Sequence, residues 1–89
     1  MFKIKCDTDK FENLNEFCDF HSRGGEVEFS FNKKKYSITH PKGLISFIEH
    51  GNESSLKYFK NIEELLSHKI DGCEIRSIVT QIQPFFRCF

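Results

Sequence analysis

The stretch Glu26–Glu49, which reads E-V-E-F-S-F-N-K-K-K-Y-S-I-T-H-P-K-G-L-I-S-F-I-E, decides the fold of this chain. Apolar residues occupy every second position in three separate runs, the period of a half-buried β-strand. Two short polar segments separate the runs, and each is typical of a tight turn. The stretch therefore predicts three antiparallel strands with one shared apolar face. The residues on that face are Val27, Phe29, Phe31, Tyr36, Ile38, Ile45 and Phe47.

Two turns set the expected strand register. A two-residue turn at Asn32-Lys33 places Phe29 opposite Tyr36 and Val27 opposite Ile38. Asn32 tolerates the positive φ that such a turn requires, whereas Lys33 stands where glycine is preferred.

The second turn is His40-Pro41-Lys42-Gly43. It is expected to set Ile38 against Ile45 and Tyr36 against Phe47, which again brings apolar side chains together.

Helices and further strands are predicted on both sides of this meander. A helix over about Asp9–Ser22 should present Phe11, Leu14, Phe17 or Cys18, and His21 on one face, and Gly24-Gly25 should end it. The remaining predicted elements are a strand at Met1–Cys6, a polar loop at His50–Ser54, a strand at Ser55–Phe59, a helix from Asn61 to about His68, and a helix from Asp71 to about Gln83 that Pro84 stops. The apolar tail Phe85–Phe89 either folds back on the core or is exposed.

The element order is β-α-β-β-β-(β)-α-α over one domain, residues 1–89. Helices covering one face of an antiparallel sheet of four to five strands are the natural two-layer solution, so the predicted class is α+β. Eleven Phe and two Tyr among 89 residues supply the large buried area that so small a domain needs.

Composition limits the function classes. Thirteen basic and thirteen acidic side chains give a formal net charge of zero, which argues against duplex nucleic acid as the main partner. No apolar run approaches the roughly 18 residues of a membrane span, and no signal-peptide pattern is present. A cytoplasmic location with reduced thiols is therefore expected.

Metal binding and catalysis are not predicted. Cys18 and His21 have a C-x-x-H spacing, and His68 precedes Cys73, but structural zinc sites normally show two close ligand pairs. Core packing is the ordinary role of cysteine on an apolar helix face. No nucleophile–base arrangement, paired acid–base carboxylates or phosphate loop stands out either. The expectation is a non-enzymatic protein without cofactor or metal.

Two binding surfaces are candidates. The polar face of the sheet carries Glu28, Ser30, Ser37, Thr39 and Ser46 and is suited to docking on a protein if helices cover only the other face. Lys33, Lys34 and Lys35 at the hairpin tip could instead join neighbouring aromatic residues to bind single-stranded nucleic acid. A homo-oligomer that buries the tail Phe85–Phe89 is a third alternative.

The chain resembles a group of small uncharacterised proteins from Firmicutes and their phages and mobile elements. The likeness lies in Glu28–Thr39 (E-F-S-F-N-K-K-K-Y-S-I-T), Ile62–Leu66 (I-E-E-L-L) and Ile70–Gly72 (I-D-G). That group usually has glycine in place of Lys33 and proline near Asn61-Ile62. Since these are hairpin, cap and core positions, the resemblance implies a fold and no catalytic role.

The element order and size are also similar to those of certain anti-CRISPR proteins, small phage products that block a defence nuclease. Many of those mimic DNA with strong acidic charge, which this neutral chain lacks. Because DNA mimicry needs acidic charge, the resemblance implies inhibition by docking on a protein surface instead. The leading hypothesis is a phage or mobile-element protein that binds a host protein, with a defence nuclease as the candidate. The alternative is a small nucleic-acid-binding regulator that uses the hairpin-tip lysines.

Overall fold

A computed structural model describes residues 9–88 of the chain. These residues form an α+β structure with three short helices, one five-stranded antiparallel sheet and one small hairpin, as the sequence predicts for the class. In chain order the elements are α1 (Leu14–Ser22), β1 (Glu26–Phe31), β2 (Lys34–Thr39), a 3-10 turn (Pro41–Gly43), β3 (Ile45–Glu49), β4 (Asn52–Phe59), α2 (Ile62–Ser67), β5 (Lys69–Ile70), β6 (Cys73–Glu74), α3 (Ile75–Ile78) and β7 (Gln83–Cys88). The predicted strand Met1–Cys6 lies outside the described residues.

The sheet has the order β4-β3-β2-β1-β7 with all pairs antiparallel. The inner face of the sheet packs against the helices. Side chains from both the sheet and the helical side form one core, in which they are almost completely buried. The sheet contributes Val27, Phe29, Tyr36, Ile38, Ile45 and Phe47, and the helical side contributes Phe11, Phe17, Phe20, Leu65, Leu66, Ile75, Ile78, Val79 and Ile82. We call the opposite side of the sheet the outer face.

The first hairpin forms as the sequence predicts. Val27 pairs with Ile38 and Phe29 with Tyr36. Asn32 and Lys33 both have positive φ, 57° and 69°, so Lys33 adopts the left-handed conformation that glycine usually provides there.

The expected register at the second turn is wrong by two residues. Ile38 pairs with Phe47 rather than Ile45, and Tyr36 pairs with Glu49. The 3-10 turn and the residue after it lengthen the connection beyond a four-residue turn. Because side chains alternate with a period of two, a shift of two residues leaves each on its expected face.

The first helix is shorter than predicted. It begins at Leu14 because Asn13 caps it, with the Asn13 side chain accepting a 2.8 Å hydrogen bond from the Glu16 amide. Phe11 lies before the helix and is buried, but Leu14 is 36 % exposed and does not join the expected stripe. Phe17, Phe20 and His21 form the buried face instead.

Gly25 allows the chain to leave α1 and enter the sheet directly beneath an aromatic ring. A methyl group at Gly25 would lie 2.6 Å from Cζ of Phe20. The Gly25 amide donates to the Phe20 carbonyl at 2.9 Å, which fixes this close approach. The two glycines do end the helix, as predicted, and Gly24 has a φ of 80°.

The polar loop expected at His50–Ser54 is instead a two-residue turn followed by a longer strand, since β4 begins at Asn52. The Ser55 hydroxyl accepts a 2.8 Å hydrogen bond from the Glu49 amide where the register of this pair shifts. The strand predicted at Ser55–Phe59 is confirmed as its second half. The helix after it is also confirmed: Asn61 caps α2, which ends at Ser67.

The predicted helix from Asp71 to Gln83 is wrong. Asp71 and Gly72 have φ values of 52° and 84° and form a two-residue turn between β5 and β6. Within this span only Ile75–Ile78 is helical, and β7 follows as the last strand of the described sheet, beside β1. Residues 85–88 of the tail therefore fold back as part of a strand. Pro84 lies in the same strand, which is at the end of the described sheet, where a missing N–H is tolerated.

Candidate functional site

The outer face of the sheet brings together the five polar residues singled out in the sequence. Glu28 pairs with Ser37, Thr39 pairs with Ser46, and Ser30 pairs with Lys35. All five polar residues are half-buried, and the described helices pack on the other face of the sheet. The outer face is therefore an accessible, moderately polar surface among residues 9–88.

Apolar side chains interrupt this polar surface at both of its edges. Tyr58 in β4 pairs with Ser46 and is 57 % exposed, and Leu56 shares its face and is 41 % exposed. At the opposite edge, Phe85 is 39 % exposed beside Lys35 and His50. Large exposed apolar side chains of this kind can anchor a contact between proteins.

Phe85 reaches this face because β7 is irregular. The register between β1 and β7 shifts between Glu28 and Phe29, so one extra residue of β7 stands against β1. The position of Phe85 on the outer face could not be predicted from the sequence, because the alternation of apolar and polar residues does not show where a β-bulge will form.

Strand alternation separates the hairpin-tip lysines. Lys33 lies in the turn itself. Lys34 points to the inner side, where its ammonium is 3.5 Å from the Asp71 carboxylate. Lys35 points to the outer face, with its ammonium 5.3 Å from the Phe85 ring centroid. The three lysines thus do not form one basic patch.

One serine–histidine pair lies on the outer face. Ser37 Oγ and His50 Nε2 are in hydrogen-bond contact at 2.5 Å, slightly shorter than the roughly 2.6–3.2 Å of a nucleophile and its base. The His50 ring also lies against Phe85, with centroids 6.1 Å apart. Ser37 is half-buried and His50 is exposed, so the pair belongs to the accessible outer face of the sheet.

A shallow cleft of about 190 Å³ lies on the inner side, between the sheet and the β5–β6 hairpin. Its floor is aromatic: Tyr36 stacks on Phe47, and His68 meets Phe47 edge to face with centroids 4.9 Å apart. Burial and the nearby Lys57 lower the pKa of His68. Burial and the carboxylates of Asp71 and Glu49 raise the pKa of Tyr36.

Asp71 lines this cleft and links two turns. Its carboxylate accepts a 2.9 Å hydrogen bond from the Asn32 amide group and pairs with Lys34. The Asn32 hydrogen bond is the main reason that the pKa of Asp71 is lowered, although the carboxyl group is exposed.

A second cavity, of about 280 Å³, contains two histidines in contact. His21 of α1 is 4 % exposed, and its Nδ1 lies 3.0 Å from Nε2 of the half-buried His40. Burial, followed by the neighbouring His40, lowers the pKa of His21 to about 3, so its imidazole is neutral at physiological pH. The sequence placed His21 on the buried helix face but gave no sign of His40, which comes from the β2–β3 connection.

Within residues 9–88, no group of three histidine, cysteine or acidic side chains is arranged to hold a metal ion. Cys18 and Cys73 carry free thiols, and burial raises the pKa of Cys18. No helix in the described part of the chain is long and apolar enough to cross a membrane.

Comparison with known proteins gives no relative: no family model, curated protein or solved structure matches the chain significantly.

Proposed function

We propose that this protein is a non-enzymatic binding protein that docks on another protein through the outer face of its sheet. The observation that carries the proposal is the arrangement of exposed Leu56, Tyr58 and Phe85 around a half-buried polar surface. Large apolar groups on an otherwise polar sheet lose contact with water when a partner covers them, which favours association.

The polar residues between the two apolar edges suit a specific contact rather than nonspecific adhesion. Glu28 and Ser37 lie side by side in the middle of the face, and Ser37 already bonds to His50. Such groups must find hydrogen-bond partners when they are desolvated, so they penalise a surface that does not match.

The sequence resemblance suggests which partner to test first. The layout similar to anti-CRISPR proteins favours a host defence nuclease, and the protein would then be a phage or mobile-element inhibitor that acts in the bacterial cytoplasm. The zero net charge favours contact with a protein surface over imitation of DNA.

The nucleic-acid alternative has less support from the geometry. Lys34 is paired with Asp71, and of the three hairpin-tip lysines it is Lys35 that lies over an aromatic ring on the outer face. One lysine beside Phe85 is a small platform compared with the basic grooves that bind single strands.

Capture from host lysate, with variants matched in chemistry, tests the proposal. We expect the wild-type protein to retain a partner in stoichiometric amount and the double variant Leu56→Ser/Tyr58→Ser to lose it. Leu14→Ser is the control, because Leu14 is a comparably exposed leucine on α1, away from the outer face.

Loss of the partner in the double variant alone supports docking through the outer face. Equal capture by the double variant, or no stoichiometric partner for the wild type, contradicts it. Salt-sensitive binding of labelled single-stranded nucleic acid that Lys35→Glu abolishes would support the alternative instead.

A further inference from the structure

The contact between His21 and His40 is unusual because it joins two imidazoles from distant parts of the chain inside a cavity. His21 lies near the end of α1, and His40 lies in the connection between β2 and β3. Their ring centroids are 5.1 Å apart with planes tilted by 44°. The fold therefore positions two nitrogen atoms against each other, one on a buried histidine and one on a half-buried histidine.

The surroundings of His21 leave Nδ1 as the nitrogen that can bind a ligand. Nδ1 faces His40, and Nε2 is buried without a hydrogen bond of standard geometry among the described residues. With its proton on Nε2, the neutral ring presents the lone pair of Nδ1 towards His40. Histidines that bind metals commonly carry the proton on their second ring nitrogen in this way.

The spacing of the two nitrogens is close to that of ligands on one metal ion. Two nitrogens bound to zinc at about 2.0–2.1 Å with a tetrahedral angle lie about 3.3 Å apart. Nδ1 of His21 and Nε2 of His40 are 3.0 Å apart. To bind one ion, His40 must carry its proton on Nδ1, and its half-buried ring must turn so that both lone pairs aim at a common point.

We propose that His21 Nδ1 and His40 Nε2 form a two-histidine site for a divalent transition-metal ion of the zinc class, with water completing the coordination. Neutral imidazole is a preferred ligand of such ions. The adjoining cavity of about 280 Å³ leaves room for the ion and its waters. The site would join α1 to the β2–β3 connection, on the opposite side of the sheet from the docking surface.

Zinc titration of the untagged, reduced protein tests this site. Isothermal titration calorimetry with Zn²⁺ should show one saturable site per chain. His40→Ala should weaken binding at least tenfold, whereas His50→Ala, which removes an exposed histidine from the outer face, should change it less than twofold. Cys18→Ser should also change it less than twofold, because Cys18 lines the cavity but is not part of a three-ligand group.

Several results would overturn the proposal: no saturable binding by the wild type, undiminished binding by His40→Ala, or an equal loss in His50→Ala or Cys18→Ser. Far-UV circular dichroism checks that His40→Ala folds. If His40→Ala does not fold, the imidazole ¹⁵N chemical shifts of the wild-type protein, measured with and without zinc, test the site instead. Zinc should then shift the resonances of His21 Nδ1 and His40 Nε2 and leave those of His50 and His68 in place, and the reverse pattern refutes the site.

Discussion

The guanidinium group of Arg87 lies over the ring of Phe11, with its Cζ 4.1 Å from the ring centroid. Arg87 is 8 % exposed, and its Nη1 donates a 2.9 Å hydrogen bond to the Asp9 carbonyl. Its Nη2 reaches Glu16 at 3.3 Å. One side chain of the last strand thus ties the segment before α1, and α1 itself, to the edge of the sheet.

Arg87→Ala should lower the free energy of unfolding by roughly 2 to 4 kcal/mol, because it removes charged hydrogen bonds and a cation–π contact together. Arg87→Lys should lower the free energy of unfolding less than Arg87→Ala, because lysine keeps the positive charge. Some loss should remain, because lysine lacks the planar guanidinium group that bonds to both Asp9 and Glu16. Urea denaturation at pH 7 measures both. Equal stability of wild type and Arg87→Ala would contradict this account of how the tail is held.

Gly25→Ala should destabilise the protein by about 1–3 kcal/mol through overpacking. The added methyl group would lie 2.6–2.7 Å from three ring carbons of Phe20, which is itself buried. The double variant with Phe20→Leu is the control. It should cost less than the sum of the two single changes, because the smaller side chain makes room. Additive losses would show that the ring is not the obstacle.

Asp71→Asn should reduce stability at neutral pH by weakening the contact between the two turns. Backbone strain should not contribute to the loss, because Asn suits the left-handed conformation of this position. The folded state lowers the pKa of Asp71, mainly through Asn32. The stabilisation from the ionised carboxylate is therefore present above the ordinary aspartate pKa and is lost as the pH falls through the lowered value.

Urea denaturation at several pH values checks this prediction. The difference between wild type and Asp71→Asn should vanish on acidification. Lys34→Met is a useful comparison, because it removes only the 3.5 Å ion pair and should have a small effect. A difference that persists below the lowered pKa would contradict the assignment to the carboxylate.

His68 should make the protein less stable below neutral pH. Its pKa is lowered in the folded state, so protons bind more tightly to the unfolded chain, and acidification through the ordinary histidine range favours unfolding. His68→Gln removes this titration. The free energy of unfolding of the wild type should therefore fall more steeply between about pH 7 and pH 5 than that of the variant. Parallel curves would refute the prediction.

Local patterns were sufficient to predict the first hairpin. Alternation together with the turn at Asn32-Lys33 determines both the paired residues and the face they share, and the pairs Val27–Ile38 and Phe29–Tyr36 are confirmed. The cap of α2 at Asn61 was predicted for the same reason, since the signal lies within four residues. The α+β class followed from these elements.

Competing signals explain the errors. Asp71 with Glu74 has the spacing of a helix cap, but Asp71-Gly72 is also a strong hairpin turn, and the hairpin forms. Asn13 caps α1 by accepting a hydrogen bond from the Glu16 amide, so the helix begins later than the predicted start at about Asp9. The buried side chains of Ile75, Ile78, Val79 and Ile82 fit a short helix and turn as well as a long helix.

Long-range contacts could not be predicted from one sequence. Ser30 pairs with Gln83 in β7, and this pairing converts an apolar tail into an edge strand that carries Phe85 to the outer face. The polar half of the candidate surface was identified from alternation. The exposed apolar edges depend on which strands become neighbours, which only the fold determines.

Site-specific photocrosslinking tests the docking surface most directly. A photoreactive phenylalanine analogue at position 58, in place of Tyr58, samples the outer face. The same analogue at position 14, in place of Leu14, samples the helical side and is the control. Docking through the outer face predicts that the partner captured from host lysate becomes covalently joined through position 58 and not through position 14. Crosslinking through position 14 alone, or equally through both positions, would contradict the account.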